Sequence, residues 1–457
     1  MPTTPTEPTL PTTPTTPTNP PLSRRDLLTG GAAAATLGFP TIIPARAFGA
    51  NERIVYGHIG LGGMGRSHVV ADSCAALCDV DANHLAEVAK GVQGSPLLTD
   101  DYRRVLDRKD IDAVTIGTPD HWHALMAVHA CQAGKDVYSE KPTCKTIEEG
   151  RAMVAAARRY KRVVQIGAQG RSNPNAAFAC NYIRNGEIGR VQSVDIWHPN
   201  NYVSEAGFGT ETNVPAHLNW DMWLGPLAWR PYNEKAVHFN FRWVMDSGGG
   251  FIRDRGNHAL SVALWCTGQD NYQGPVTVEA SGEPNPNSLY DAPLTFRARW
   301  QFSNPDWVLS WNQPGTPNPR FPGEWGGTYT GDKGDLIVLG GDGGCETEQK
   351  AKDYKPKAGG FTAYLEPTEA DPTERHRRNW RRCIKTRERP VMDVETGYRV
   401  IVLPIIANIA YLVGRKLTFD PQTARFIGDE EANRFLSEPY RRPWSLDGVK
   451  DGKGGRV

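Results

Sequence analysis

From Arg53 onwards, short apolar runs alternate with amphipathic stretches, and the segment GLGGMG, Gly60–Gly65, closes the first of those runs. RIVYGHIG, CAALCDV, IDAVTIGTP, DVYSE and RVVQIG read as strands. NHLAEVAKG, YRRVLDR, HALMAVHACQAG and TIEEGRAMVAAARRY read as the helices between or after them. Continuous apolar strands separated by helices specify a mostly parallel sheet covered on both faces. That constraint sets the fold class: α/β, opening with a doubly wound domain over 51–170.

A lone G-x-G-x-x-G is a weak signal, but here it sits where a strand ends and a helix begins. Glycines at that turn let the backbone approach a pyrophosphate, and the helix N-terminus supplies N–H groups. Asp79 closes the second strand 19 residues after Gly60, where a carboxylate accepts hydrogen bonds from ribose hydroxyls. The same charge repels a 2′-phosphate, so NAD is expected rather than NADP. Thr118-Pro119-Asp120 and Glu140-Lys141-Pro142 also fall at carboxyl ends of strands, where open parallel sheets bind ligands. No metal is expected: His121 and His123, two apart, point to different helix faces.

The composition narrows the function classes. Seventeen of the first 22 residues are Thr or Pro, a composition that cannot build a core and predicts disorder over 1–22. Arg24-Arg25, a weakly apolar stretch and Ala45-Arg46-Ala47 read as a twin-arginine export signal over 23–47, so a periplasmic or otherwise exported protein is expected. With 52 basic and 51 acidic residues, no nucleic-acid partner is indicated. The eight cysteines form no C-x-x-C pair, so neither a zinc cage nor a disulfide framework is expected. No later run reads as a membrane span.

Beyond residue 170 the pattern changes to polar–apolar alternation in RVQSVDIWH, VTVEASG, LTFRARWQF and DWVLSWN, as in an antiparallel sheet with one covered face. A second domain over 171–420 and a C-terminal extension over 421–457 are expected. Ten of the 13 tryptophans lie between Trp197 and Trp325; most belong to a core, with two or three facing a ligand. DSGGGFIRDRGNHALSVALWCTG places Asp254 and His258 four apart, on one face of a helix. An imidazole tuned by such a carboxylate suits a general base for a hydroxyl, and Lys141 at the sheet's mouth suits the stabilisation of a developing alkoxide.

Taken together, GLGGMG, TPDHWHA, EKP, WDMWLGP, GGGFIRDRGNH and VMDVETGYRVIVLPIIANIAYLVGRKLTFDP resemble the Gfo/Idh/MocA oxidoreductases, over about Arg53 to Pro421. The resemblance implies a Rossmann domain followed by an α/β domain with a large, mostly antiparallel open sheet, often used for homo-oligomer assembly. It implies Lys141, Asp254 and His258 as catalytic residues, His258 the acid/base and Asp254 its partner. The implied cofactor-binding set is Gly60, Gly62, Gly63, Met64, Gly65, Asp79, Thr118, Pro119, His123, Glu140, Lys141 and Gln169. Arg171, Arg242 and Asn257 are the expected substrate contacts. Ser261 stands where many members have an aspartate, and Arg255 lies beside the catalytic pair, placed to lower the His258 pKa or bind an anionic group.

An exported nicotinamide enzyme finds no NAD pool outside the cytoplasm, so a tightly bound NAD is expected. Three readings stay open. Hydride is exchanged between a sugar, glycoside or polyol and a second carbonyl compound; or it returns to the same sugar after a glycosidic bond has broken; or a sugar-binding protein keeps the fold without catalysis. The second reading needs another base, for which His238 and Tyr202 are candidates.

Overall fold

The structure is a computed structural model that describes residues 53–200 and 207–446. The twin-arginine segment, the Thr/Pro-rich start and Tyr202 lie outside the described residues. Six parallel strands form the first sheet: β1 (Tyr56–Ile59), β2 (Cys74–Cys78), β3 (Leu97–Thr99), β4 (Ala113–Ile116), β5 (Asp136–Glu140) and β6 (Val164–Gly167). Their order, β3-β2-β1-β4-β5-β6, reverses direction between β1 and β4, which opens a crevice at the carboxyl ends of those strands. Every residue of β1, β4, β5 and β6 is buried, as runs covered on both faces require. The helix Asp120–Gln132 has almost no polar face because it is buried nearly all round, while Ile147–Arg159 starts at a capping box formed by Thr146 and Glu149.

The second sheet has nine strands: β7 (Val191–Trp197), β8 (Val276–Glu283), β9 (Thr295–Ser303), β10 (Asp306–Gln313), β11 (Gly326–Gly331), β12 (Gly334–Leu339), β13 (Glu346–Thr347), β14 (Leu417–Asp420) and β15 (Arg425–Phe426). Its order is β13-β12-β11-β7-β10-β9-β8-β14-β15, antiparallel except for the β7–β10 pair. Alternation along β9 sends Phe296, Ala298, Trp300 and Phe302 inwards and Arg297 and Arg299 outwards. The inner face packs on the helices Asn257–Thr267 and Val394–Val413, with Trp300 Nε1 donating to Leu403 O at 3.0 Å. Val394–Val413 is long and apolar enough to cross a bilayer, but 72 % of its most apolar window is buried inside the protein, so it is a core helix.

Two expected boundaries shift. β15 lies beyond residue 420, so the second sheet extends into the expected C-terminal extension. The chain beyond β13 also returns to the first domain: Trp380 packs edge-on to Tyr138 at 5.5 Å, and Gln165 donates to His376 O at 2.8 Å. Trp444 then closes over Trp122, with ring centroids 4.9 Å apart. All eight cysteines are free.

Candidate functional site

The crevice between β1 and β4 opens into a cavity of about 900 Å³ that continues beneath the second domain. The four glycines of its first loop serve two purposes. Gly60 has φ +80°, and a Cβ there would lie 2.6 Å from Thr118 N; a Cβ on Gly65 would lie 1.9 Å from Gly60 O. Those two positions are glycine because backbone meets backbone. Gly62 and Gly63 instead face the cavity with Met64, and a Cβ on Gly63 would meet nothing within 4 Å. Protein packing does not require glycine there, whereas a ligand laid over the loop does.

Asp79 ends β2 and braces this loop: Oδ2 accepts from Leu61 N at 2.6 Å and Oδ1 from Asp81 N at 2.8 Å. Its carboxylate lines the cavity, as do Thr118 and Pro119. Thr118 Oγ1 is buried without a hydrogen-bond partner among the described residues, an orphaned polar atom in the cavity wall. The open glycine loop, the carboxylate and this hydroxyl fit a dinucleotide. His123 does not line the cavity. Its Nδ1 lies 2.7 Å from Pro142 O and its Nε2 2.9 Å from Thr118 O, so it ties together the loops after β4 and β5 rather than touching a ligand directly.

At the far end of the crevice, Glu140 Oε1 lies 2.8 Å from His68 Nε2 and accepts from Gln169 Nε2 at 3.2 Å. Burial pushes the Glu140 carboxyl up, but His68 and Lys141 outweigh it and hold the group ionised. Lys141 Nζ forms an ion pair with Asp254 Oδ1, and Arg242 Nε donates to the same oxygen at 3.2 Å. Burial opposes the charge on Asp254, yet the two cations keep its carboxyl well below the usual range.

Asp254 is therefore the partner of Lys141 and Arg242; no hydrogen bond joins it to His258 among the described residues. The reason is local. Ile252–Gly256 is one turn of π-helix, wider than an α-turn, so a four-residue spacing no longer stacks the two side chains. Gly249 and Gly250, at φ +80° and +82°, lead the chain into this turn. His258 follows in the helix Asn257–Thr267 and lines the cavity, its Nδ1 buried without a partner among the described residues. Burial pulls its pKa down to about 4, Lys141 adds to the effect, and Asp342 and Asp254 oppose it. At neutral pH the ring is uncharged and able to accept a proton.

Two other expected contacts fall elsewhere. Arg171 is buried outside the cavity, donating to Ser261 Oγ at 2.8 Å and to Asp270 Oδ2 at 3.0 Å. It pins a helix, and it uses the Ser261 hydroxyl to do so. Asn257 is wholly buried, does not line the cavity, and has no hydrogen-bond partner for its amide among the described residues. Arg242, by contrast, lines the cavity. So do two of the ten clustered tryptophans, Trp223 and Trp243, together with Trp122 of the first domain. Arg255 pairs with Asp342 at 2.9 Å. His238 lies near the glycine loop, 3.0 Å from Asp81 Oδ2, not beside Lys141.

Sequence reasoning missed two acids. Asp120 lines the cavity nearly buried, and desolvation lifts its carboxyl to about 7 against Arg253, Arg242 and Lys141. Its place after Thr118-Pro119 was the available signal. Asp342, in the loop after β12, carried none, because only the folded chain brings it opposite His258.

Two family models match the chain. One describes an oxidoreductase family with an NAD-binding Rossmann fold and matches residues 54–168; the other describes the C-terminal alpha/beta domain of the same Gfo/Idh/MocA group and matches 197–305 and 351–446. A levoglucosan dehydrogenase from Pseudarthrobacter phenanthrenivorans is 28 % identical over 234 residues, 48 % of this chain and 52 % of that protein. A glycosyl hydrolase family 109 protein from a Shewanella species is 29 % identical over 154 residues, 31 % of this chain and 34 % of that protein. The chain thus spans between a third and about half the length of these curated relatives. The WlbA dehydrogenase from Bordetella pertussis, solved with NADH and UDP-GlcNAcA, superimposes with a TM-score of 0.58 at 19 % identity, covering 80 % of this chain and 98 % of that one.

Proposed function

Because the chain belongs to the Gfo/Idh/MocA family of oxidoreductases through both its NAD-binding Rossmann domain and its C-terminal α/β domain, we propose that it transfers hydride between NAD and a hydroxyl-bearing carbon of a neutral sugar, glycoside or polyol. One observation carries this reading: Lys141, held by Asp254, with which Arg242 also pairs, shares a cavity wall with an uncharged His258 whose Nδ1 has no hydrogen-bond partner among the described residues, at the end of a glycine-lined crevice. The nicotinamide supplies the hydride acceptor when bound. Gly62, Gly63, Asp79 and Thr118 would hold the dinucleotide, and Glu140, hydrogen-bonded to Gln169, lines the same cavity beside Lys141. Lys141 donates a hydrogen bond to the substrate hydroxyl oxygen and stabilises the charge that develops on it. His258 accepts the hydroxyl proton as the C–H bond breaks.

The substrate is neutral because the arginine and lysine cations lining the cavity are already engaged: Lys141 and Arg242 on Asp254, Arg255 on Asp342. A carboxylate or phosphate would meet no cation whose charge is not already balanced by a carboxylate. Trp243, Phe251 and Phe241 offer flat apolar faces for the C–H side of a ring. The twin-arginine sequence supports export with NAD already bound, the cofactor being reoxidised in place by a second carbonyl compound; family membership supports a homo-oligomer. Denaturing the purified protein and assaying the supernatant tests this: stoichiometric NAD is expected, and an empty protein needing millimolar NAD overturns it. Sugars added to the holoprotein should raise the reduced-nicotinamide absorbance.

The similarity to a glycosyl hydrolase family 109 protein and the position of Asp120 favour a second reading, in which hydride returns to the same sugar after bond cleavage. Product analysis on a disaccharide separates the two. Cleaved but unoxidised sugars establish the second; an oxidised disaccharide establishes the first.

A further inference from the structure

Around Asp81, three of the chain's eleven histidines converge from separate parts of the sequence. Asp81 caps the helix Ala82–Ala89 through Oδ1, which accepts from Asn83 N at 2.8 Å, and this leaves Oδ2 pointing outwards. His84 stands in the first turn of that helix. His238 opens a 3₁₀ turn, His238–Trp243, in the second domain, and its Nε2 lies 3.0 Å from Asp81 Oδ2. One ring nitrogen from each of these histidines and one Asp81 oxygen all lie within 4.8 Å of one another, and the two rings are 4.7 Å apart.

The third histidine is set by backbone. Ala82 N donates to His217 O at 2.8 Å, and Leu218 bridges Asp81 antiparallel, which brings His217 Nε2 to 3.7 Å from Asp81 Oδ2. A further carboxylate, Asp79 Oδ2, lies 3.7 Å from His84 Nδ1, where it orients the ring as outer carboxylates orient metal-bound imidazoles.

We propose that Asp81, His84 and His238 form a site for a divalent transition-metal ion, completed by water, that clasps the first domain to the 238–243 segment of the second. Two imidazoles and a carboxylate are the donor set of zinc, cobalt or nickel, and too nitrogen-rich for magnesium or calcium. Metal–ligand distances near 2 Å require the donors to draw in towards a common centre. Buried Asp81 provides the fixed donor, while His84 and His238, 22 % and 43 % exposed, retain freedom to rotate. Simple hydrogen bonding explains one imidazole on Asp81 Oδ2, but not a second ring from the other domain set tilted at 4.7 Å from the first. The site departs from the sequence expectation, which weighed only His121 and His123. No signal links residues so far apart before the chain folds.

Cobalt is the probe. The untagged full chain, stripped with chelator, is titrated with Co²⁺ and followed by visible absorption, which is intense for four-coordinate cobalt and weak for the hydrated ion. The expected result is a band saturating at one equivalent, displaced by Zn²⁺, with a rise in Tm of a few degrees on metal addition. His84→Ala and His238→Ala should each weaken binding at least tenfold. Asp81→Asn, which keeps the helix cap, should do the same while leaving the metal-free Tm unchanged. A spectrum no different from aqueous cobalt, or variants that bind like the parent, overturns the proposal. The readout involves no dinucleotide, so it is independent of the proposed reaction.

Discussion

At the glycine-loop end of the cavity the first domain contributes backbone and small residues, whereas the second domain contributes charged and aromatic side chains. The first wall is Gly60, Gly62, Gly63, Thr118 and Pro119, set on strand ends whose every residue is buried. The second is Arg242, Asp254, Arg255, His258 and Asp342, carried on a 3₁₀ turn, a π-turn, a helix and a loop. Binding is thus assigned to a rigid sheet edge and chemistry to irregular segments held by ion pairs. Substitutions on the two walls should fail in different ways.

The largest effect is expected on the chemical side. Lys141 is a first-domain side chain that reaches across to the second wall, through Asp254. Lys141→Ala and His258→Ala should each lower kcat by roughly 10²–10⁴-fold while dinucleotide content after purification stays near stoichiometric. Single-turnover kinetics and cofactor assay of the same preparations check this. Loss of NAD from both variants would make the second wall part of the binding site and erase the distinction.

Next come the glycines, which divide the first wall itself. Gly65→Ala places a Cβ 1.9 Å from Gly60 O, a backbone atom that cannot swing aside, so destabilisation of at least about 2 kcal/mol is expected in denaturant unfolding. Gly63→Ala meets open space in the protein. It should leave the metal-free, cofactor-free stability within ~0.5 kcal/mol yet raise the NAD dissociation constant tenfold or more. Equal stability losses in both variants would mean that the loop is glycine-rich for packing alone.

The same contrast explains what the sequence revealed. Strand, glycine turn, helix and Asp79 lie within one short stretch, so their chemistry is local and readable. β3 escaped notice because three residues show no period, β11 and β12 because they are bounded by glycines, and β13 and β15 because two residues carry no hydrophobic pattern. Lys141, Asp254 and His258 all line the cavity, but Asp254 pairs with Lys141 and Arg242 rather than with His258. A helical spacing rule assumes an α-turn, and the Gly248–Gly250 entry delivers a π-turn instead. Arg171 was misread because an arginine near a strand end looks alike whether it faces a ligand or, as here, Asp270 and Ser261.

Arg171→Ala therefore tests how far the second wall extends. It leaves Asp270 without its guanidinium partner and removes two hydrogen bonds to Ser261, so a loss of about 2 kcal/mol of stability is expected, with KM unchanged. A raised KM with unaltered unfolding would place Arg171 back among the substrate contacts.

pH acts as a slope rather than as a single loss. Burial lowers His58 and His121, behind the first wall, to about 3 and His258, in the second, to about 4, against an ordinary 6.5. In the unfolded chain each binds a proton as pH falls through 6.5, while the folded protein does not until pH 3–4 is reached. Stability is accordingly full above 6.5 and falls with acidification, by up to about 1.4 kcal/mol per pH unit for each histidine. His258→Gln should reduce that slope by one histidine's share, since His58 and His121 remain buried, as unfolding free energies between pH 7 and 5 would show. Turnover behaves differently across the same range: neutral His258 keeps the proton-accepting step available down to about pH 4. An acid limb of kcat/KM near 6.5, with the folded fraction held constant, would mean that another histidine takes the proton and that the second wall lacks its base.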